Sequence, residues 1–552
     1  MPPRYPAYAV SVFGLVALAS ACAKGPEFSK EQHSPDARIQ AMLTASENPV
    51  LALATGDTIR IGDEVKAFYE ARNYSAAWTS DEGILPRGQA LVAALQRADA
   101  EGLDMAEYHR DEIQPLIDRA KSDVEQKLPV GDELRNLDLL MTEVYLRYTT
   151  DVLQGTFDPA SVGLDWKVPR EDATDAVLLN SILEGENFEA ALAELRPQVP
   201  FYNRLREALP RYRQAAEAGG WPTIPSGPAL ALGDRGPRVA ALRARLIAEG
   251  DSVEAPLAKT ASVDVFDPQL ANAVEHFQDR HGLAEDGAAG EGKIREMNVP
   301  VEDRLRSLRL NLDRWRWLPR ELGDHYVMVN VAGFEMAVIK DDKPVLTMKV
   351  VVGKTGTETP IFRDTIESIV VNPYWNVPTG IAEDDIYPKV AADPTWLERN
   401  NYEMVGKGSS RGVRQRPGPK NALGEVTFLF PNEHDVYLHD TPADALFNRD
   451  TRAFSHGCIR LEKPRELAYY LFENEGKSHA DYDALRGKAE KWVTLEHKIP
   501  VYILYFTAWA DEDGSVRFYP DIYRRDARVS KTEGARLDGD TLPASGAVKP
   551  KT

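Results

Sequence analysis

The sequence predicts a multidomain α+β protein, with a helical N-terminal part, a small helical unit in the middle and a mostly-β C-terminal part. Apolar residues recur at three- and four-residue steps up to about residue 220, and at two-residue steps from about residue 325. A stretch rich in Pro, Gly and Ser, 222–228, separates the first two parts because it cannot sustain a helix. With 552 residues the chain is too long for one hydrophobic core, so several domains are expected.

The composition is that of an acidic, folded protein. The net charge is −20 at pH 7, and no dense block of Lys and Arg is present. Such a chain repels the phosphates of nucleic acids, so we expect no nucleic-acid partner. Apolar residues make up 43% and charged residues 28% of the chain, which excludes a wholly disordered protein.

The first 22 residues are predicted to direct export. Arg4 precedes an apolar run, 7–19, that is too short to span a bilayer stably and ends in small residues. A buried N-terminal helix is the alternative interpretation. Export predicts a protein of the periplasm or cell envelope.

Two cleavage sites are compatible with this export signal. Residues 19–21 fit an ordinary small-x-small site, whereas 18–22 resemble a bacterial lipobox in which Cys22 is lipidated. The second site would give the protein a lipid anchor. Residues 23–47 are polar and are predicted to be a tether.

Residues 48–222 are predicted to form a helical domain. Leu140, Val144 and Tyr148 illustrate the three- and four-residue steps at which its apolar positions recur. The segment 68–78 is rich in aromatic residues. We interpret these rings as core packing rather than as a platform for a ligand.

A compact unit of two or three short helices is predicted at 229–299, with turns that glycine permits. Its Leu-Gly-Asp-Arg-Gly, Ala-Val-x-x-Phe-Gln and Gly-Leu-x-x-Asp-Gly stretches resemble the small three-helix peptidoglycan-binding domain. Lys293 replaces the usual Thr, and an insertion near 250–262 lengthens one loop. The resemblance implies glycan affinity, and a purely structural role is the alternative.

Residues 300–525 are predicted to form the β-rich domain, because their β-branched and aromatic residues alternate with polar ones. A long stretch rich in Pro, Gly and charge, 373–424, interrupts the strands. A connection of this length is typical of a functional lid. The last residues, 526–552, are predicted to be disordered. The predicted strands are 326–331, 335–339, 346–352, 366–372, 426–430, 436–439 and 501–505.

Cys458 is the main candidate for chemistry. It is the one thiol left if Cys22 is lipidated or removed, and a secreted protein would use cysteines in pairs for disulfides. A thiol becomes a nucleophile when a base or positive charge favours the thiolate. His439 supplies the base in this interpretation, and Arg452 and Arg460 supply the charge.

The neighbours of Cys458 suit acyl transfer, which needs hydrogen-bond donors aimed at the developing oxyanion. Gly457 lets the backbone approach a substrate, so the amides of Gly457 and Cys458 could face one oxygen. Tyr437 and His439 are two residues apart on a predicted strand, so their side chains share a face. Tyr437 could donate its hydroxyl to the oxyanion while His439 pairs with the thiol.

Two other interpretations of this cluster are a buried cysteine beside hydrogen-bonded histidines and a metal site. A metal site built from His439, His456 and Cys458 lacks a fourth ligand at diagnostic spacing, so we expect no metal and no cofactor. In papain-like enzymes the Cys precedes the His. Here His439 precedes Cys458, which excludes that class.

The stretch from His439 to Ser455-His456-Gly457-Cys458-Ile459-Arg460 resembles the signature of YkuD-type L,D-transpeptidases. Residues 414–424, with His439-Asp440-Thr441-Pro442, are similar to the long, YcbB-like form. That form combines a helical scaffold, a peptidoglycan-binding domain and a mostly-β catalytic domain with a capping insertion. The resemblance covers roughly 50–525.

The resemblance implies roles for individual residues. Cys458 would be the acylated nucleophile and His439 its base. The oxyanion site would be formed by Gly457, Cys458 and Tyr437. The backbone carbonyl of Asp440 would orient His439. The residues expected to shape and support the site are Ser455, His456 and Arg460.

The 373–424 segment would cap the substrate. In this segment Trp375 would cover the cleft, and Arg414 and Arg416 suit the carboxylates of a peptide stem, which guanidinium groups hold bidentately.

The implied reaction is acyl transfer between two peptidoglycan tetrapeptide stems, a donor and an acceptor, giving a 3→3 cross-link. Carbapenem-type β-lactams are expected to acylate the same thiol. Three alternatives remain: an L,D-carboxypeptidase that uses water as acceptor, attachment of stems to an outer-membrane protein, and a wall-binding protein without catalysis. The last leaves His439 and Cys458 unexplained.

Overall fold

A computed structural model describes residues 36–46, 49–52, 58–126, 132–170, 176–185, 187–251, 263–406 and 412–529. The predicted export signal and Cys22 lie outside these residues. The chain divides into two compact units. The first contains the residues up to Asp99, Leu103–Leu153 and Asp172–Arg196, and the second contains Ala100–Gly102, Gln154–Glu171 and the residues from Pro197 onward.

The first unit is helical, in agreement with the predicted fold class. Its aromatic residues Phe68, Tyr69 and Trp78 are completely buried, which confirms that the aromatic-rich segment is core. Trp78 and Tyr145 pack edge-to-face with ring centroids 5.0 Å apart. Its α-helices are Ala37–Thr44, Asp63–Ala71, Pro86–Leu95, Arg110–Glu125, Asp132–Gln154, Ala176–Leu183 and Phe188–Glu194, with 3₁₀ turns at Ala98–Glu101 and Met105–Tyr108 and short strands at Val50–Ala52, Thr58–Arg60, Thr79–Ser80 and Gly83–Ile84.

A buried carboxylate organises this unit. Asp138 accepts hydrogen bonds from the backbone N–H groups of Ala77, Trp78 and Thr79 at 2.7–2.9 Å, and from the Tyr69 hydroxyl at 2.5 Å. A buried charge is tolerated only when hydrogen bonds replace its hydration shell. Asp138 therefore fixes the loop 77–79 against the long helix Asp132–Gln154.

The predicted tether differs from the structure over residues 36–46. Here Ala37–Thr44 form a helix that Asp36 caps, and Ile39 and Leu43 are buried in the core of the first unit. Asp36 also pairs with Arg135 at 2.6 Å. The four-residue spacing of Ile39 and Leu43 was the available signal, but a single helical turn of this pattern is weak evidence within a polar stretch.

The second unit contains a group of three helices that enclose a small core of their own. These helices are Pro237–Glu249, Pro268–Arg280 and Glu291–Met297. Arg280 fastens this helical group to the hairpin Ala508–Ala510 and Val516–Phe518 by donating to the Val516 carbonyl at 2.5 Å.

Two longer helices, Pro200–Glu217 and Val301–Arg316, pack against the same hairpin. Phe201 and Trp315 stack with centroids 5.8 Å apart. Trp315 in turn stacks on Phe506 at 4.7 Å.

The strands of the second unit form a sheet that closes on itself, because Val426–Leu429 pairs both with Leu438–His439 and with Ile361–Val371. The mostly-β catalytic region predicted from the sequence is therefore confirmed. The strands of the sheet are Trp166–Lys167, His325–Asn330, Glu335–Lys340, Lys343–Gly353, Ile361–Val371, Val426–Leu429, Leu438–His439, Ala453–Ser455, Ile459–Leu461 and Lys491–Leu504. The chain between these strands also contains a 3₁₀ turn, Asp444–Asn448, and two helices, Pro464–Asn474 and His479–Asp483.

The 373–424 segment is itself folded where it is described, rather than an irregular excursion. Three strands, Trp375–Asn376, Tyr402–Val405 and Gly412–Gln415, form a separate sheet. The helical stretch between the first two strands comprises Thr379–Ile381, a π-helical turn Ala382–Ile386, Tyr387–Ala392 and Trp396–Arg399. We call this segment the cap subdomain.

The start of the predicted disordered tail is also ordered. Residues 525–529 are helical, and Asp526 pairs with the buried Arg314 at 2.6 Å. The remaining residues of the predicted tail lie outside the described part of the chain.

Replacing Asp138 by alanine is expected to destabilise the first unit by about 3 kcal/mol, because three backbone N–H groups lose their acceptor in a buried place. Urea denaturation followed by circular dichroism measures this loss. Asp118→Ala, at an exposed helix position, is the matched control and should change stability by less than about 0.5 kcal/mol. Equal stability of the two variants would contradict the role given to Asp138.

Candidate active site

Two short parallel strands bring the predicted catalytic residues together. Leu438–His439 pairs with Ile459–Leu461, with Leu438 opposite Ile459. Because the strands run in the same direction, the residues before them, Tyr437 and Cys458, meet at one edge of the sheet. Ile459 donates its N–H to the Tyr437 carbonyl at 3.1 Å, which fixes this register.

The Cys458 thiol is held by two neighbouring residues. The thiol donates to the carbonyl oxygen of Asp435 at 3.5 Å. The backbone N–H and the hydroxyl of Tyr437 both lie within hydrogen-bonding reach of the sulfur. Burial raises the pKa of the thiol, although the two Tyr437 donors and the charge of Arg460 offset part of this effect. The resting cysteine is therefore a neutral thiol in a site that already contains donors for a thiolate.

The cap subdomain contributes to this site through Trp375. Its indole N–H lies near the Tyr437 hydroxyl and partly lowers its pKa, and this hydroxyl in turn lies near the Cys458 sulfur. Burial, followed by the negative charge that Cys458 would carry, raises the pKa of Tyr437. The phenol therefore stays protonated and can act as a donor.

His439 is buried, with 5% of its surface exposed, and lies next to the tyrosine. The ring centroids of Tyr437 and His439 are 5.6 Å apart, so the two side chains share a face as predicted. His439 Nδ1 lies 2.5 Å from the carbonyl oxygen of Asp440 and donates to it. This bond leaves Nε2 as the basic nitrogen of the ring.

The imidazole is neutral at physiological pH. Burial, reinforced by the charge of Arg460 on the neighbouring strand, lowers the pKa of His439 to about 3. Within the described residues, the hydrogen bonds of His439 and Cys458 run to Asp440, Asp435 and Tyr437 and not to each other. The resting site is thus a neutral pair rather than a thiolate–imidazolium ion pair.

The turn that carries Cys458 is braced by Ser455. The Ser455 hydroxyl donates to the Cys458 carbonyl at 2.6 Å and accepts from the Gly457 N–H at 3.1 Å. The Gly457 amide is therefore engaged inside the turn, which differs from its expected role as an oxyanion donor. Gly457 has φ +121°, a conformation that side chains rarely adopt, and this explains the glycine.

His456 and Arg460 occupy different surroundings. His456 is exposed at the surface, while Arg460 is half-buried and acts on both Cys458 and His439 through its charge. Arg452 is buried and donates to the carbonyl oxygens of Arg449 and Phe334 at 2.9 and 3.2 Å. Arg452 therefore supports the fold of this region, and Arg460 supplies the positive potential.

Sequence reasoning missed support from residues that lie far from Cys458 in the chain, both before and after it. The Thr359 hydroxyl donates to the Gly457 carbonyl at 2.8 Å and accepts from the Gly353 N–H at 2.9 Å. Tyr523 donates to the Gly353 carbonyl at 2.5 Å. A single Thr and a single Tyr carry no sequence signal for such contacts, because the closed sheet alone brings them together.

Asp440 contacts His439 through its backbone carbonyl, whereas its carboxylate binds other backbone groups. The carboxylate accepts from the backbone N–H groups of Glu425 and Thr441 at 2.6 and 2.7 Å. Gly424 has φ +61°, and a Cβ atom there would lie 2.2 Å from Asp440 Oδ2. The glycine thus makes room for the side chain that holds the Asp440 backbone in place.

The two arginines expected to bind substrate carboxylates are paired inside the cap subdomain. Arg414 and Arg416 both bind Glu403, with their Nε atoms at 2.9 and 2.8 Å from its oxygens. Arg414 also lies 4.1 Å above the ring of Tyr374. The expectation overlooked Glu403, which faces Arg414 across the paired strands. These guanidinium groups therefore stabilise the cap subdomain.

The described part of the chain contains no cluster of three or more His, Cys, Asp or Glu side chains that could hold a metal ion. Over the same ranges, no helix combines the length and the apolar character needed to cross a membrane.

Family models match three parts of the chain. The "Scaffold domain" matches residues 63–209, the "Putative peptidoglycan binding domain" matches 235–295, and the "L,D-transpeptidase catalytic domain" matches 324–475. Residues 324–475 are thus similar to an L,D-transpeptidase catalytic domain, and the two preceding matches are similar to scaffold and peptidoglycan-binding domains. Cys458 and His439 lie inside the catalytic match.

A curated relative from Haemophilus influenzae, named "Putative L,D-transpeptidase", is 32% identical over 246 residues, which cover 41% of this chain and 49% of the relative. The chain thus spans about half the length of that relative. Among solved structures, an L,D-transpeptidase from Stackebrandtia nassauensis is 15% identical with a TM-score of 0.22, covering 51% of this chain and 96% of that chain. L,D-transpeptidase 3 from Mycobacterium tuberculosis, in complex with a faropenem-derived adduct, is 14% identical with a TM-score of 0.17, covering 33% and 60%.

The role of the Asp440 backbone carbonyl can be tested separately from that of its carboxylate. Asp440→Ala keeps the carbonyl that holds His439 and is expected to slow β-lactam acylation less than about tenfold. Gly424→Ala pushes Asp440 and its carbonyl away and is expected to cost about 100-fold, the usual effect of a misplacement of about 1 Å. Stopped-flow measurement of acylation tests both variants.

Gly380→Ala is the control for this comparison, because a Cβ atom at Gly380 meets nothing within 4 Å. Adding Asp440→Gly to Gly424→Ala should partly restore the rate. A larger loss in Asp440→Ala than in Gly424→Ala would show that the carboxylate, not the carbonyl, serves His439.

Proposed function

We propose that the protein is an L,D-transpeptidase that forms 3→3 cross-links between peptidoglycan stems through a thioester on Cys458. The observation that carries this proposal is the arrangement of the thiol, which has the N–H and the hydroxyl of Tyr437 nearby, while His439 holds Asp440 with Nδ1 and keeps Nε2 as its basic nitrogen. A nucleophile, a neutral base and an oxyanion donor on one sheet edge are the parts that acyl transfer requires.

In the first half-reaction, the Cys458 sulfur attacks the carbonyl carbon of the diaminopimelate residue in a donor stem. The thiol proton passes to His439 Nε2, and the carbonyl oxygen becomes an oxyanion that the Tyr437 hydroxyl and the Cys458 N–H stabilise. The C–N bond then breaks, and D-alanine leaves with the proton from His439. Burial and Arg460 make the imidazolium unstable, which favours this rapid transfer to the leaving amine.

In the second half-reaction, the side-chain amine of an acceptor stem attacks the thioester. His439 removes a proton from this amine, the C–N bond forms, the C–S bond breaks and the thiol is regenerated. In this proposal the Trp375 indole N–H, which lies near the Tyr437 hydroxyl and lowers its pKa, strengthens the hydroxyl as a donor. The cap subdomain therefore takes part in both steps through one indole.

The partners and the location follow from this proposal. A protein that acts on peptidoglycan would work in the periplasm or cell envelope, and export with or without lipidation at Cys22 would deliver it there. Carbapenem-type β-lactams should acylate Cys458, because their strained amide needs only a thiol and oxyanion donors. We also propose the domain division 48–222, 229–299 and 300–525, with the 373–424 segment acting as the substrate cap.

An L,D-carboxypeptidase is the second candidate. The same thioester would be hydrolysed if water reached it before an amine. The product therefore distinguishes the two activities, since hydrolysis gives a tripeptide stem and transfer gives a cross-linked dimer.

Incubation with purified disaccharide-tetrapeptide is expected to give a 3→3 dimer, identified by mass spectrometry, and the release of D-alanine. Cys458→Ala should abolish this activity and the carbapenem adduct, because its sulfur forms both covalent bonds. His439→Ala should slow turnover by about 10²- to 10⁴-fold, the usual loss of a general base.

His456→Ala is the control histidine, since its side chain is exposed. Tripeptide as the sole product would favour the carboxypeptidase. A carbapenem adduct that persists in Cys458→Ala would refute the assignment of the nucleophile.

A further inference from the structure

The cap subdomain contains an open cavity of about 320 Å³ that the proposed chemistry does not use. Its walls include three aromatic side chains, Trp375, Trp396 and Tyr402, all partly exposed. The ring centroids of Trp396 and Tyr402 are 5.2 Å apart, and those of Trp375 and Tyr402 are 6.3 Å apart. The three rings therefore form a continuous aromatic wall, and the volume suits a single six-membered ring with its substituents.

A local distortion of the backbone shapes the opposite wall. Ala382–Ile386 form a π-helical turn between two stretches of α-helix, and Asp385 and Ile386 from this turn line the cavity. Such turns are rare and occur mostly at functional sites. Burial, followed by the charge of Asp385, raises the pKa of Tyr402 to about 12, which places the carboxylate near the phenol.

The charges around the cavity argue against a charged ligand. Lys389 already lies 5.6 Å above the ring of Trp396, where a ligand ammonium would otherwise bind, and Lys420 also lines the cavity. An anion would be attracted by Lys389 and Lys420 but repelled by Asp385 and the negative faces of the aromatic rings, so these groups give it no strong preference. A neutral ligand with an apolar C–H face and polar groups on its rim matches these walls best.

The cavity is separated from the reacting atoms by one side chain. Trp375 forms its wall and also lies near the Tyr437 hydroxyl, which is close to the thiol. The bond-forming groups of a substrate therefore cannot react from inside the cavity. A remote part of the same substrate can occupy it, and binding energy from remote groups is a general source of catalytic positioning.

We propose that this cavity binds a neutral N-acetylated sugar ring, of the glycan to which the peptide stems are attached. The sugar stacks its C–H face on Trp396 and Tyr402, while Asp385 accepts from a hydroxyl and Lys389 donates to an oxygen. This inference rests on the proposed function for the source of the sugar, but the sugar-binding site itself is independent of catalysis.

Calorimetric titration of the full-length protein with tri-N-acetylchitotriose tests the site without any peptide. Saturable binding is expected, and Trp396→Ala should weaken it by at least about tenfold, since an aromatic partner is lost. Asp385→Asn, at an exposed position, should weaken binding with little risk to folding. Trp492→Ala removes a tryptophan that is 58% exposed elsewhere on the surface and should leave binding unchanged.

Two results would overturn the proposal: no binding by the wild-type protein, or the same affinity in wild type, Trp396→Ala and Asp385→Asn. The second result would assign sugar binding to another part of the chain, such as the small helical group at 235–295.

Kinetics give a second, separable readout. The ratio of kcat/KM for disaccharide-tetrapeptide to that for the free tetrapeptide should exceed one in the wild type and fall towards one in Trp396→Ala. A wild-type enzyme that turns over both substrates with a ratio of one would contradict the cavity's role and leave the proposed function intact. If the enzyme turned over neither substrate, the proposed function would be contradicted. The titration would still show whether the cavity binds the sugar.

Discussion

The parallel pairing of two very short strands is the constraint on which the site depends. Leu438–His439 and Ile459–Leu461 share one register, and this register alone places Tyr437 beside Cys458 and His439 beside Arg460. Neither strand would be stable by itself, so the closed sheet that contains both is needed to hold them. Thr359 and Ser455 then fix the turn before the second strand by hydrogen bonds to the backbone. The catalytic constellation is thus a consequence of sheet closure rather than of local sequence.

The electrostatics of the site favour neutral partners at rest. Burial penalises both the thiolate and the imidazolium, and Arg460 affects the two groups in opposite ways, because it stabilises the thiolate and destabilises the imidazolium. The Tyr437 donors offset part of the penalty for burying the thiolate, and they do so fully only when the sulfur is negatively charged. Such an arrangement stabilises the charge that develops during attack, and it protects the free thiol from side reactions that need a thiolate.

The sequence predicted the fold class and the longer strands of the large sheet from the alternation of apolar residues, and it offered the Ser-His-Gly-Cys-x-Arg stretch after His439 as a local signal. It did not predict the strand Ile459–Leu461 or the three strands of the cap subdomain, which are too short to show such alternation. It did not predict the engagement of the Gly457 amide by Ser455, or the pairing of Arg414 and Arg416 with Glu403. Those contacts depend on turn geometry and on which strands pair inside the cap subdomain. The supporting Thr359 and the link from Trp375 to Tyr437 lie far from the motif in the chain, so only the folded structure brings them together.

The ionisation of Cys458 tests this account most directly. In a Cys22→Ala protein, Cys458 is the only thiol, and its thiolate can be followed by ultraviolet absorbance as the pH rises. The account predicts half-ionisation above the value of about 8.5 for a free cysteine, and a further increase in Tyr437→Phe, which removes one thiolate donor. A thiolate already formed at about pH 7, as in a cysteine–histidine ion pair, would contradict it.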